Sequence, residues 1–395
     1  MIADKLLSLQ EGEFVFALTR DDLGPLFADR AGVAHSALSP FVEVLRDYAP
    51  GSGGLTPQTA ELLADPEFAP LVDTLAAPQL LIRQRLGGGS ASFDEMRVCA
   101  SPTTAERLLA VAVTDDGGYL VRVFEGPGAF VAWWMESLAG RNEETIANYV
   151  PPRLDLGAFL LILHTVDMFR RVSYQRALNF DYESTVSVPV ADFAPLMSRA
   201  LQSRDLRWLL PTFVAVTPNL ADVVPEIRPE HSQALADLAF LRNAKDAQTG
   251  EDILLFGEAG QSMGVEFMRS WFLAAGFEFS VAGQGAQKEL PRLFIAPTAL
   301  ANHFVRLEMS PEGGCTVNHQ AYTYPQLEVK LQEILERAYA LCARPAPQPE
   351  AAPPPPEATA PPTTAPAQVL CPHCGEMVDA NMRFCVHCGG RVSAA

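Results

Sequence analysis

The sequence predicts an α+β fold that is internally duplicated, with mixed or antiparallel sheets, packed helices and a pseudo-two-fold relation between its two halves. Three observations lead to this prediction: short motifs recur at a nearly constant separation, glycine turns join runs of strand-forming residues, and an amphipathic helix follows each pair of strands. A chain of 395 residues is also too long for one compact unit, so more than one structural piece is expected.

The recurring motifs lie 195–198 residues apart. Leu-Ala-Ala occurs at 75–77 and again at 273–275, where each copy is expected to close a helix and open a strand. A Gly-Gly turn occurs at 117–118 and again at 313–314. Unrelated similarities do not keep their spacing over such a length. The pattern therefore indicates two like units that can bury matching faces against each other.

Further elements can be placed along the chain before its C-terminal part. Strand-forming residues at 108–113 and 119–124 flank a turn whose glycines supply positive φ, which is typical of a hairpin. Residues 154–178 carry a broad apolar stripe at helical spacing and predict a long helix. The elements expected next are a strand at 181–189, a helix at 191–201 and, at 212–216, either a strand or a buried turn of helix.

The composition changes sharply at Pro345. Residues 345–368 hold ten of the chain's 32 prolines, and the rest of the segment is Ala, Thr, Gln and Glu. Because proline lacks the amide that helices and sheets require, we expect an extended spacer, up to roughly 70 Å long when stretched. A docking track for a proline-recognising domain is the alternative. The expected pieces are a first α+β repeat with a connecting helix at 1–192, a second repeat at 193–344, the disordered linker at 345–368 and a small module at 369–395.

The C-terminal module carries two copies of the pattern Cys-x-x-Cys-Gly. Ten residues separate the pair Cys371 and Cys374 from the pair Cys385 and Cys388. Zinc takes four ligands in a tetrahedron, one tight turn can present two thiolates, and the glycine permits the left-handed backbone that the turn needs. The pattern predicts a zinc ribbon that binds one Zn²⁺ through these four cysteines. So small a piece depends on the metal for its folding free energy.

The zinc is expected to be structural. A catalytic zinc keeps one position open for water, whereas four cysteines close the coordination shell. His373 and His387 lie inside the two turns at positions that are expected to face solvent. A redox role for the cysteine pairs would need a thioredoxin-like fold, for which this segment has no room. Residues 371–392 resemble the short zinc ribbons appended to many bacterial proteins, which again implies a structural zinc.

The body offers one cluster of chemically interesting residues. His303, Cys315 and His319 surround the second glycine turn and could form a nucleophilic or metal site. If Ser310 pairs with Cys315 across the turn, the two histidines point to opposite faces of the sheet. The pattern fixes no acidic partner, so catalysis is not expected there.

The remaining candidates have structural interpretations. His164 lies on an apolar helix and is expected to be a hydrogen-bonded core histidine. The Gly-Gly-Gly-Ser run at 87–90 lacks the Lys-Ser/Thr of a phosphate loop and is expected to be a flexible hairpin connection. The Asp pairs at 21–22 and 115–116 suit turns and helix starts. The tryptophans at 133–134 could form a partner-binding patch, with one of the two in the core. No nucleophile, base and orienting group occur together, so no catalytic or cofactor-binding residue is predicted.

The charge balance limits the class of partner. The chain has 29 basic and 47 acidic residues and a net charge of −18, and such a surface repels nucleic acid and anionic membranes. The longest apolar run has eight residues, whereas a membrane span needs about 20, and no secretory signal is recognisable. Cysteines grouped for metal binding indicate a reducing compartment, so a cytoplasmic location is expected.

Three segments of the body carry a family resemblance: residues 75–85, the hairpin at 116–122 and residues 184–189. In these segments the body resembles the ESX (type VII) secretion-associated chaperone family. The resemblance implies a strand-rich α+β unit that occurs twice about a quasi-two-fold axis. It also implies a cytosolic protein that binds a secreted partner and catalyses no reaction. The proline spacer and the ribbon depart from the usual, shorter members of that family.

These features favour a non-enzymatic protein-binding adaptor or a secretion-chaperone-like protein. Its body would engage one protein partner and its tethered ribbon a second, held at useful local concentration by the spacer. Two alternatives stay open, namely a nucleic-acid or transcription-associated zinc-ribbon protein and an enzyme whose site is invisible in the sequence. Residues 369–395 contain two arginines against one Glu and one Asp, so the ribbon lacks the basic excess that phosphate contacts require. The oligomeric state is not predicted.

Overall fold

The chain divides by its internal contacts into a body, Met1–Arg344, and a tail, Pro345–Ala395. The division falls where the composition changes, while the four pieces named above stay predictions. The computed structural model describes residues 3, 6, 14–28, 37–46, 57–88, 93–102, 107–144, 148–181, 186–217, 220, 227–269, 273–282, 290, 292–310, 314–342, 368–379 and 391–392.

The body is organised around one large sheet. Its strands are β1 (Phe14–Leu18), β2 (Leu80–Gly87), β3 (Asp94–Ala100), β4 (Leu108–Val113), β5 (Tyr119–Phe124), β6 (Arg153–Asp155), β7 (Ser187–Pro189), β8 (Leu241–Lys245), β9 (Asp252–Phe256), β10 (Ala274–Val281), β11 (Arg292–Pro297), β12 (Asn302–Met309) and β13 (Cys315–Tyr322). A 10-stranded antiparallel sheet has the order β1-β5-β4-β3-β2-β10-β11-β12-β13-β6, and a small sheet has the order β7-β9-β8.

Helices cover both faces of the large sheet. Within the described residues they are α1 (Arg20–Ala28), α2 (Val42–Arg46), α3 (Pro57–Leu63), α4 (Phe68–Ala76), α5 (Pro127–Leu138), α6 (Leu156–Leu178), α7 (Val190–Gln202), α8 (Leu209–Val216), α9 (Pro229–Asp237), α10 (Glu258–Arg269) and α11 (Tyr324–Cys342). The predicted α+β class, with a large antiparallel sheet and packed helices, is confirmed. No helix of the described residues is long and apolar enough to cross a membrane.

The strand order is the one expected of two like units. Strands β2 to β5 run outward from the centre on one side, and β10 to β13 run outward on the other. Strands β2 and β10 meet at the centre, pairing from Leu80 with Val281 to Gly87 with Ala274. A two-fold axis between these strands would relate the halves. The sequence duplication itself stays an interpretation of that order and of the constant motif spacing.

The middle of the chain follows the sequence prediction with local differences. The long helix begins at Leu156 because the three residues before it pair with β13 as the edge strand β6, and Asp155 caps the helix by accepting a hydrogen bond from the Gly157 amide at 2.7 Å. The helix predicted at 191–201 is α7, and the undecided segment 212–216 is the end of helix α8. The predicted strand at 181–189 is described only in part, as β7; residues 182–185 lie outside the described residues.

The second Leu-Ala-Ala copy departs from its predicted role. The first copy does end helix α4, but in the second copy Ala274 and Ala275 already belong to strand β10. The reason is the central pairing, in which Ala274 lies opposite Gly87 at the far end of β2 and so extends the ladder.

One face of the large sheet is covered by α5 and α11, one helix from each half. The two helices contact each other and enclose a core with side chains of β2, β10 and their neighbours. Trp133 and Trp134 of α5 are both buried there, and the Trp134 ring lies 5.7 Å from that of Phe277. Neither tryptophan therefore forms the surface patch considered from the sequence.

The opposite face carries a separate apolar cluster in each half. Helices α1, α2 and α4 pack over β1 and β3 to β5, while α6, α8, α9 and α10 pack around and over β11 to β13. Helix α6 is buried along its first fifteen residues, from Leu156 to Arg170, because other elements surround it.

A close approach at Gly276 joins helix α8 to the centre of the sheet, and we expect Gly276→Ala to destabilise the body. A Cβ atom at Gly276 would stand 1.9 Å from the backbone oxygen of Val216, so backbone must move. The expected loss in the free energy of unfolding is about 3 kcal/mol, measured by urea denaturation. Gly128→Ala on α5 is the control, because the nearest atom there is 3.9 Å away. Equal stability of the two variants would contradict the packing.

Candidate functional site

The described part of the tail is a short hairpin that carries two cysteines. Strands β14 (Gln368–Leu370) and β15 (Met377–Asp379) pair antiparallel, and the turn between them holds Cys371 and Cys374. The Cys371 amide donates to the Glu376 carbonyl at 2.8 Å, and the Gly375 amide donates to the Cys371 carbonyl at 2.9 Å. Gly375 has φ +74°, a left-handed conformation that favours glycine. These bonds close a tight turn of the kind that presents two sulfurs together.

The cysteine turn fits a zinc site. Cys371 is buried in a small cluster with Val378 and Val392, while Cys374 is exposed. Thiolates are soft donors that suit zinc, and a turn closed by backbone hydrogen bonds holds its two sulfurs ready for a common metal. His373 is exposed, as expected from the sequence. Cys385, Cys388 and His387 lie outside the described residues, so two of the four predicted ligands can be placed.

The structure brings the body's two candidate histidines together, contrary to the prediction. Cys315 pairs with Met309, one residue away from the predicted partner Ser310. This shift of one residue places both histidines on the same face, because side chains alternate along a strand. His303 Nδ1 and His319 Nε2 lie 3.1 Å apart and share a hydrogen bond.

An acidic residue completes the histidine cluster. Glu266 of α10 places Oε1 2.9 Å from His303 Nε2, and the Thr298 hydroxyl donates to the same oxygen. Burial favours the protonated form of Glu266, but the bonds and charge supplied by His303 and Thr298 outweigh it, so the pKa of Glu266 is lowered. Burial, with the neighbouring His303, holds the pKa of His319 well below 6.5. We call these four residues the histidine cluster.

The histidine cluster links α10 to β12 and β13 through polar contacts. The strand partner of Cys315 is Met309, which is not part of the histidine cluster, and burial raises the pKa of the Cys315 thiol to about 11. A protonated thiol is a poor nucleophile. Among the described residues the cluster therefore holds hydrogen-bonded imidazoles and a carboxylate without an activated nucleophile. Glu266 lies on helix α10 whereas the histidines lie on strands β12 and β13, and no short motif in the sequence signals that they meet.

The other sequence candidates have structural partners. His164 Nε2 lies 3.0 Å from the Phe193 carbonyl, and burial lowers its pKa to about 4, as suits a core histidine. Asp22 accepts from the Thr19 amide at 3.1 Å at the start of α1, and Asp116 accepts from the Gly118 amide at 3.2 Å in the hairpin turn. Strand β2 extends through Gly87, while Gly89 and Ser90 lie outside the described residues.

Comparison with known proteins gives a match to a family model in the tail and a similarity to a solved structure. A family model described as a zinc-ribbon domain matches residues 370–392. No curated protein sequence matches the chain. Among solved structures, the chain is similar to EspG5, the Mycobacterium tuberculosis type VII secretion system chaperone solved in complex with a PE25–PPE41 dimer. The sequence identity is 10%, the TM-score is 0.31, and the alignment covers 82% of this chain and 96% of that chain. A likeness of this size carries no information about partner or activity.

Two buried histidines make the stability of the body depend on pH below 6.5. His164 and His319 stay neutral in the folded body, whereas in the unfolded chain both bind protons as the pH falls below 6.5. Acidification therefore favours unfolding through these groups. On acidification from pH 6.5 to about pH 5, the free energy of unfolding of the parent should fall. In His164→Gln and in His319→Gln this fall should be smaller by about 1.5 kcal/mol each.

The measurement is urea unfolding at both pH values, reported as the pH-dependent difference for each protein. Comparing these differences cancels the contribution of titrating groups that all the proteins share. One such group is Asp167, whose pKa is raised to about 6 by burial. His373→Gln, in the exposed turn of the tail, is the control and should lose as much as the parent. An unchanged pH dependence in both core variants would show that these histidines titrate normally.

Proposed function

We propose that the chain is a non-enzymatic protein-binding adaptor whose tail is a structural zinc ribbon. The observation that carries the proposal is the closed turn of Cys371 and Cys374 within the segment that matches the zinc-ribbon family. Binding of a client protein, as a secretion chaperone does, is one form that such an adaptor takes. The reduced thiols of a zinc site suit a reducing compartment, so we place the protein in the cytoplasm.

In the proposed site one Zn²⁺ is bound by Cys371, Cys374, Cys385 and Cys388. The metal would supply the folding free energy that the tail's small apolar cluster cannot provide. A shell of four thiolates leaves no position for substrate or water. The role of the ribbon is then to present a rigid surface.

The polar interior of the body supports binding in preference to catalysis. The carboxylates that are buried with histidine or arginine are already engaged: Glu266 with His303, and Asp167 with Arg170 at 3.0 Å. Groups held in this way stabilise packing between elements, and their hydrogen bonds are used within the protein. Because these two carboxylates are engaged within the protein, we propose that the body meets a partner through its outer surface.

The linker supports two binding units on one chain. Residues 345–368 are rich in proline, and a spacer of this composition keeps two modules within reach of each other without fixing their orientation. A nucleic-acid role for the ribbon is less favoured, because its two arginines are balanced by Glu376 and Asp379. We therefore propose that the ribbon also binds protein.

The metal site can be tested by substitution. Purified protein should contain about one equivalent of zinc by metal analysis, and Cys371→Ser/Cys374→Ser should lose it, because the remaining two thiols cannot complete a tetrahedral shell. Cys315→Ser, in the body, is the matched control and should keep the metal. Urea unfolding of the body should be the same in the parent and in the double variant. A full equivalent of zinc in the double variant would place the site elsewhere.

The adaptor role can be tested by affinity capture from the native host, with the parent and the Cys371→Ser/Cys374→Ser variant as baits. We expect at least one stoichiometric protein partner that both baits retain, bound through the body, and a second that only the zinc-loaded parent retains. Nucleic acid that is recovered with the parent and lost with the variant would support the transcription-associated alternative. Turnover of a small molecule without any protein partner would overturn the adaptor role.

A further inference from the structure

A cleft of about 240 Å³ opens between helices α6, α7 and the start of α8. Its floor is apolar, and two arginines stand on its walls. Met168, Leu196, Trp208 and Pro211 line the apolar floor, and Arg171 and Arg199 line the walls.

The walls of the cleft are fixed by polar contacts. Helix α7 is held to α6 by the contact of His164 Nε2 with the Phe193 carbonyl, and the two rings meet edge-on with centroids 4.6 Å apart. The start of α8 is held by Asp167, which accepts hydrogen bonds from the amides of Leu209 and Leu210, each at 2.8 Å. The cleft is therefore preformed, so a ligand need not order it.

The floor is fixed by the buried ion pair of Asp167 and Arg170. Arg170 donates to Asp167 at 3.0 Å and to the Arg207 carbonyl at 3.1 Å, and its guanidinium lies 5.2 Å from the ring of Trp208. The Asp167 carboxylate also lines the cleft, but Arg170 balances its negative charge. The apolar side of the floor is left to receive a ligand.

The walls carry positive charge on a protein that is strongly acidic as a whole. Arg171 and Arg199 are exposed, and within the described part of the chain neither forms an ion pair. With Asp167 and Arg170 in balance, the cleft holds two positive charges on a chain whose net charge is −18. Exposed guanidinium groups beside an apolar pocket match a ligand that combines a carboxylate with an apolar group, because a guanidinium binds a carboxylate through two parallel hydrogen bonds.

We propose that this cleft binds a short peptide segment of a protein partner in which an apolar side chain stands beside one or more carboxylates. The proposal rests on the adaptor function and names the chemistry that its body recognises. The volume is below the range of about 300–1,000 Å³ that is usual for small-molecule sites, and it suits one large side chain. A polyanion such as nucleic acid would use the arginines but leave the apolar floor unfilled, and the net negative charge would repel it.

The test is selection of a phage-displayed library of random heptapeptides on the full-length protein. Peptides with Asp or Glu next to Leu, Met, Phe or Trp should be enriched. The best of them should bind Arg171→Glu/Arg199→Glu at least about tenfold more weakly by fluorescence anisotropy, because reversal turns attraction into repulsion. Ala200→Phe keeps both arginines but fills the cleft, and it should weaken binding to a similar degree.

The matched control is Arg242→Glu, an exposed arginine on β8 that does not line the cleft, and its affinity should stay within about twofold of the parent. Equal thermal unfolding of the parent and the three variants by circular dichroism would show that the fold is kept. Enriched peptides without acidic residues, or acidic peptides that bind the double reversal as well as the parent, would overturn the proposal. The proposal would also be overturned if no peptide is enriched and the parent instead binds inorganic phosphate or octanoate saturably, with that binding lost in Arg171→Glu/Arg199→Glu.

Affinity capture separates the failure of this proposal from failure of the adaptor role. With the double reversal as bait, loss of the partner that the body retains supports the cleft as its binding site. The same partner retained in full by the double reversal and by Ala200→Phe would overturn the cleft and leave the adaptor role standing. Absence of any body-bound partner with the parent as bait would count against the adaptor role, and absence of enriched acidic peptides against the cleft.

Discussion

The pairing of β2 with β10 is the contact on which the rest of the body depends. It joins the innermost strands of the two four-stranded runs, and its eight residue pairs from Leu80–Val281 to Gly87–Ala274 set the relative position of the halves. Because side chains alternate across a strand, that register also decides which residues face α5 and α11 and which face the opposite layer. Phe277 and Phe279 of β10 fall on the α5 side, where Trp134 packs against Phe277.

Polar contacts at the start of β12 hold elements on both sides of the sheet, where backbone groups would otherwise be unpaired. Asn302, at the start of β12, accepts from the Gly140 amide at 2.8 Å and donates to the side chain of Asn142 at 2.8 Å. The next residue, His303, points to the other face and meets Glu266 of α10. Two consecutive residues of one strand thus anchor elements on both sides of the sheet, as strand alternation requires. The histidine cluster is a consequence of this architecture.

The sequence was sufficient for the class of fold and for the turn chemistry, and it was insufficient where one residue decides the outcome. Motif spacing and hairpin turns predicted the α+β class with mixed or antiparallel sheets, and the Cys-x-x-Cys-Gly pattern predicted the turn seen at Cys371. The partner of Cys315 was wrong by one position, because the glycine turn allows loops that differ by a residue, and this difference alone reversed the relative faces of the two histidines. Glu266 could not be predicted, since a contact over 37 residues leaves no local pattern.

The cleft between α6, α7 and α8 shows why a site of this kind escapes sequence analysis. Its charge depends on which arginines have partners: Arg170 and Arg171 are neighbours in the chain, yet one is buried against Asp167 and the other is exposed. Consecutive residues of a helix point about 100° apart, so a change of one position separates a structural arginine from one that faces a ligand. Asp167 places α8 through two amides and leaves Arg170 committed to the core. The positive charge of the cleft therefore comes from α6 and α7 acting together, which makes recognition depend on the packing that holds these helices.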